Sequence, residues 1–148
     1  MPDPRPAPYK PDPEHLSLVQ GVINRLAGNS FALKGWSVTL VSALLALNVA
    51  ETDVRLVAIA LLPALTFWGL DGYFLAQERL FRDLYGKLVK AELSEDEVRP
   101  PAFSMVTDKL TPQCWANAIF SLTLILFHGT VVAVIGIFWR SLGAAGGG

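Results

Sequence analysis

Cysteine, histidine and charge are all scarce in this chain. Cys114 is its one cysteine, which rules out an intrachain disulfide. His15 and His128 lie far apart in sequence, and with a lone cysteine they do not supply a standard zinc site. There is no His-Glu-x-x-His, no Gly-x-Ser-x-Gly and no glycine-rich phosphate loop ending in lysine. The expectation is therefore a non-enzymatic protein with no catalytic residues, no cofactor and no metal. Charged residues make up 17% of the chain and the net charge is −1, so nothing pulls it toward nucleic acid. The start, residues 1–13, lacks the apolar stretch of a cleavable signal peptide.

Apolar residues, in contrast, are plentiful. They are 52% of 148 residues, with a mean hydropathy of +0.41. They fall in blocks about 20 residues long, the length of a membrane span rather than of a soluble core helix. The expected fold class is an all-α integral membrane protein with three transmembrane helices, the first two extended into the cytosol as long amphipathic helices. Residues 1–13, six of them proline, read as a disordered arm. Residues 14–140 form one helical membrane domain, with spans at about 31–50, 54–76 and 115–139 and a cytosolic helix and loop region at 77–114. Residues 141–148 read as a flexible tail.

Glu14 to Ala50 reads as one helix. Leu16, Val19, Ile23, Leu26, Ser30, Leu33, Ser37, Leu40, Leu44 and Leu47 alternate in steps of three and four, a heptad seam that crosses the membrane boundary. Gly21, Gly28, Gly35 and Ser42 form a second stripe spaced by seven. Each interior glycine costs about 1 kcal/mol of helix propensity, so the stripe predicts close approach by another helix. Thr52 or Asp53 can cap the second helix. Pro63 should kink that helix, which then turns amphipathic and ends near Leu93. Ser94 to Glu97 fits a capping box, and Pro100-Pro101 forces extended chain. Residues 98–113 read as a loop before the third span.

Ten of the twelve Lys and Arg lie before Gly35 or within 77–113. The positive-inside rule then predicts a cytosolic N-terminus and an external C-terminus. Lys34 and Asp71 fall at matching depth near the cytosolic ends of adjacent antiparallel spans, and are the candidate interspan ion pair. His128 sits mid-span in the third helix. It reads as a hydrogen-bonded packing residue, with a proton relay as the sharper alternative. His15 is expected to be exposed. Gly129, Ala133 and Gly136 form a small-residue surface for a contact within or between subunits. In a ring, Glu51 and Asp53 would make an acidic outer circle that favours cations.

Several blocks resemble a known family. These are Gln20 to Arg25, Asn29-Ser-Phe-Ala-Leu-Lys-Gly-Trp-Ser-Val-Thr-Leu-Val-Ser42, Phe67 to Arg82, Phe103-Ser-Met105 and Phe120 to Gly129. Together they are similar to small bacterial membrane proteins related to RipA, the octameric membrane proteins. The resemblance implies a homo-oligomer in the bacterial cytoplasmic membrane, and brings no reaction, ligand or catalytic residue with it. Two functional readings follow. One is a homo-octameric assembly that is pore-like or membrane-perturbing. The other is an oligomeric scaffold whose cytosolic helices dock a partner protein. The lipid bilayer and other copies of the chain are the expected partners, and nucleic acid is not.

Overall fold

The computed structural model describes residues 12–51, 54–93 and 103–145. Four helices account for most of them: α1 (Pro13–Glu51), α2 (Val54–Leu93), α3 (Pro112–Ile119) and α4 (Leu122–Ala145). The segments expected at 1–11, at Asp53, at 94–97, at Pro100-Pro101 and at 146–148 lie outside the described residues.

Local signals explain where the helices begin. The Asp12 carboxylate accepts the Glu14 backbone N–H at 2.9 Å, and Pro13 follows with a ring whose fixed φ suits the first helical position. Thr111 caps α3 in the same way, accepting the Cys114 N–H at 3.2 Å ahead of Pro112. Pro63 lies within α2 without ending it.

α1 and α2, of 39 and 40 residues, are each roughly 60 Å long, about twice the thickness of a bilayer's hydrocarbon core. They run antiparallel and pack along their length. Two apolar clusters hold the pair. Val19, Ile23, Leu84 and Leu88 form one, near the start of α1. Val41, Leu45, Val57, Ala60, Ala64 and Ile135 form the other. α4 joins the second through Ile135, with Val131, Phe138 and Leu142 against it. Three helical stretches, Pro13–Val49, Arg55–Lys90 and Leu122–Leu142, are long and apolar enough to cross a membrane. Their outward faces carry large apolar side chains, among them Phe31 at 80% exposure and Leu62 and Ile137 near two-thirds, which suits hydrocarbon surroundings.

The structure departs from the sequence reading at four places. First, the α1 seam holds through Ser37, but Leu40 and Leu47 are exposed and Val41, Leu45 and Asn48 are buried instead. A straight helix at 3.6 residues per turn drifts ~20° per heptad, which carries a seven-residue seam off the contact line. Second, the third span is not one helix from Trp115 to Trp139. Phe120 and Ser121 break it into α3 and α4. Third, helix α4 runs through 141–145, part of the expected tail. Fourth, His15 is buried at 2% exposure. Its Nε2 lies 2.9 Å from the Ser104 carbonyl, and its ring sits 5.6 Å from that of Phe103. The segment at Phe103-Ser104 folds back over the start of α1, which sequence spacing alone does not reveal.

α3 is fastened to α2 at close range. Trp68 Nε1 donates to the Ile119 carbonyl, and Trp115 Nε1 donates to the Gly69 carbonyl, each at 3.2 Å. Arg79 donates to the Asn117 carbonyl at 3.3 Å. Gly72 permits this approach, because a Cβ there would overlap the Ile119 side chain and come within 3.3 Å of its Cα. Gly72→Ala is therefore expected to lower stability in detergent by about 1–3 kcal/mol through overpacking. It should also loosen the Trp115 environment, visible as a red-shifted indole emission. Unchanged melting and emission would show that α3 is not seated on α2.

Candidate functional site

Midway along the α1–α2 pair, between the two apolar clusters, the seam turns polar. Asp71 of α2 has a fully buried side chain. Its Oδ2 lies 2.6 Å from Lys34 Nζ of α1 and 2.9 Å from His128 Nε2 of α4. Its Oδ1 accepts a hydrogen bond from Ser30 Oγ of α1 at 2.5 Å. Ser30 Oγ in turn accepts from Lys34 Nζ at 2.8 Å. One carboxylate thus receives donors from two other helices, and all three candidate spans meet on it.

Helical periodicity explains the assembly. Ser30 and Lys34 are four residues apart, one above the other on a single helix face. Ser30 belongs to the buried seam. Lys34 stands at its edge with 23% of its side chain exposed, its aliphatic stem covering apolar surface while the ammonium reaches inward. On α2, Trp68 lies three residues before Asp71 and shares its face. Its indole stacks on the His128 ring with centroids 5.9 Å apart and an interplanar angle of 9°. Phe127 meets the same imidazole edge-on at 5.0 Å. His128 lies against the Trp68 indole with its Nε2 aimed at Asp71.

Nε2 sits on a carboxylate, so the neutral tautomer that fits carries its proton there and donates it. Lys34 and Asp71 then cancel, and the cluster as a whole is uncharged. That matters in a low-dielectric interior, where an unpaired ion costs several kcal/mol. Two polar atoms nearby have no partner among the described residues: Ser37 Oγ, two turns beyond Ser30, and Nδ1 of His128. Ser30 donates to the Asp71 carboxylate and accepts from the Lys34 ammonium, so its hydroxyl bridges the two charges. Among the described residues no group of three His, Cys, Asp or Glu side chains is placed to hold a metal.

The structure brings Lys34 and Asp71 together within a single chain. It adds Ser30, His128 and Trp68, which sequence spacing did not link to them. The signals were present. Ser30 precedes Lys34 by one helical turn. The break at Phe120-Ser121 places His128 about two turns into α4, near the end at which α1 carries Lys34, rather than at mid-span.

The other sequence-derived residues lie elsewhere. Gly28 follows Val19 by nine residues, or two and a half turns, so the glycine stripe occupies the side of α1 away from the seam. At Gly21, Gly28 and Gly35 a Cβ would meet nothing within 4 Å, and Ser42 is exposed. Gly129 and Gly136 of α4 are equally open, and Ala133 is exposed. Among the described residues no neighbouring helix reaches these glycines, while Ser42 borders the groove between α1 and α4 with Val131 and Val134, and Gly129 is half-buried. Glu51 is the last residue of α1, and Asp53 lies outside the described residues.

Comparison of the chain with protein-family models, with curated proteins and with solved structures finds no match.

Removing the shared carboxylate should be the most damaging change in the cluster. Asp71→Ala removes the acceptor shared by Ser30, Lys34 and His128 and is expected to cost at least about 1.5–3 kcal/mol, the range of a hydrogen bond to a charged group. His128→Ala removes one of those bonds and its ring packing, and should cost less. Thermal unfolding in detergent ranks the two, and an equal or reversed order would contradict a cluster organised around Asp71.

Proposed function

We propose that the chain is the subunit of a homo-oligomeric assembly in the bacterial cytoplasmic membrane, non-enzymatic and pore-like or membrane-perturbing. The observation that carries this is a pair of small-residue faces, Gly21/Gly28/Gly35/Ser42 on α1 and Gly129/Ala133/Gly136 on α4, whose glycines have no neighbouring side chain within reach of an added Cβ. Within a bilayer, small residues let helix backbones approach closely, and that packing drives association. Two different faces on one subunit are what a head-to-tail ring requires, one meeting the other around the closed circle. The similarity of Asn29 to Ser42, and of the other blocks, to the RipA-related octameric membrane proteins supports an octamer.

Orientation follows from the cationic residues, with the N-terminus and 77–113 in the cytosol and the C-terminus outside. The excess length of α1 and α2 over the hydrocarbon core then extends their ends near Val19 and Leu88 into the cytosol as a helical pair. This surplus favours a second reading, in which the extension is the working part. The membrane segment would then anchor and oligomerise a scaffold that docks a cytosolic protein. Deleting 77–93 abolishes partner capture under that reading.

The deciding measurement is the mass and projection symmetry of the complex in nanodiscs. A closed ring near eight subunits is expected, and Gly28→Leu with Gly35→Leu should break it into smaller species. A wild-type monomer or dimer would remove the ring and the pore together. If the ring conducts, replacing Glu51 and Asp53 with Asn should reduce its preference for cations, and unchanged selectivity would eliminate the acidic circle.

A further inference from the structure

We propose that Asp71 and His128 form a proton-binding site in the membrane, and that a proton arriving on His128 displaces Lys34 from the carboxylate. This does not depend on how many subunits assemble.

The geometry sets up a competition. Lys34 Nζ and His128 Nε2 lie on the same oxygen, Asp71 Oδ2, at 2.6 and 2.9 Å. The two nitrogens are therefore no further apart than the sum of those distances. While His128 is neutral the three groups total zero charge. A second proton on the imidazole would place two cations against one anion at this range, in surroundings that screen charge poorly.

The two cations differ in their freedom to leave. Lys34 is partly exposed and carries its ammonium on a flexible stem that can turn outward to the headgroups. His128 is 1% exposed and stacked on Trp68. When the imidazole gains its proton, Lys34 is the cation that departs. The departure conserves the balance, since a Lys34–Asp71 pair with neutral His128 becomes a His128–Asp71 pair, and each state is uncharged.

A site for the proton already exists. Among the described residues Nδ1 of His128 is buried without a hydrogen-bond partner, so its lone pair is open to a proton. Nε2–H stays on Asp71 throughout and the proton adds at Nδ1. The groups facing the imidazole are few. α2 contributes Asp71 and Trp68, and α1 contributes Lys34 and Ser30 through the carboxylate. α3 has no charged residue. On α4 the other charged side chain is Arg140, twelve residues on, or roughly 18 Å along the helix.

The test is solid-state NMR of the whole chain in lipid nanodiscs, without a histidine tag, with histidine, lysine and aspartate isotopically labelled. His15→Gln assigns the remaining imidazole signals to His128. At pH 8 the expected state is a neutral imidazole protonated on Nε2, with Lys34 Nζ in dipolar contact with the Asp71 carboxylate. On lowering to pH 5, Nδ1 gains a proton and the Lys34–Asp71 contact disappears in the same transition. An imidazole still neutral at pH 5 overturns the proposal, and so does a protonated one with the Lys34 contact retained. Lys34→Met removes the competitor, and should move the His128 transition to higher pH by about one unit, tenfold in proton affinity. An unmoved transition in a folded Lys34→Met protein rejects the exchange. If that variant does not fold, the contact read in the unsubstituted residue decides the matter.

Discussion

Placing a carboxylate where water cannot reach it is the constraint on which the rest of this fold depends. Asp71 is completely buried, and no single neighbour compensates it. Lys34 supplies counter-charge, while Ser30 and His128 supply donors to the remaining lone pairs. The demand fixes three things at once: the rotation of α1 that turns Ser30 inward, the depth of α2 that levels Asp71 with Lys34, and the position of α4. His128 ties α4 to Asp71 while Ile135, Val131 and Phe138 pack it against the apolar cluster, so polar and apolar contacts together place α4. Polar contacts suit that role, because apolar side chains in lipid tolerate sliding and a buried ion does not.

The apolar clusters on either side make the polar site tolerable. Val19, Ile23, Leu84 and Leu88 close one end, and Val41, Val57, Ala64 and Ile135 the other. Alanines on α2 bring the helices close, which keeps water away from the carboxylate and strengthens each contact it makes. The Trp68 indole serves both purposes. One face packs on His128, while its N–H reaches the carbonyl that ends α3, so the cluster and the α3 anchorage share one side chain.

Much of the architecture was legible from residue order. Block hydrophobicity gave the candidate spans, steps of three and four gave a helix across Glu14–Ala50, and matched depths paired Lys34 with Asp71. Each of these is a local or nearest-neighbour property, and local periodicity carries it. The misreadings arose where the third dimension decides. A strict heptad assigned Leu40 and Leu47 to a seam that a straight helix rotates away from. The break at Phe120-Ser121 lies in an apolar run with no glycine or proline, so nothing in the composition announces it. His15 is buried by a segment almost ninety residues away. His128 is hydrogen-bonded and packed, as its sequence position suggested, but its partner Asp71 lies 57 residues away and local spacing could not name it.

The order in which the cluster's members occur along the chain bears on how such a protein enters the bilayer at all. Lys34 and Asp71 belong to consecutive helices, and His128 follows 57 residues after Asp71. During synthesis the first hairpin therefore emerges with its acid and its base already opposite one another. It can leave the insertion machinery as a neutral unit instead of delivering a bare charge to lipid. The imidazole comes later and costs little to insert while neutral.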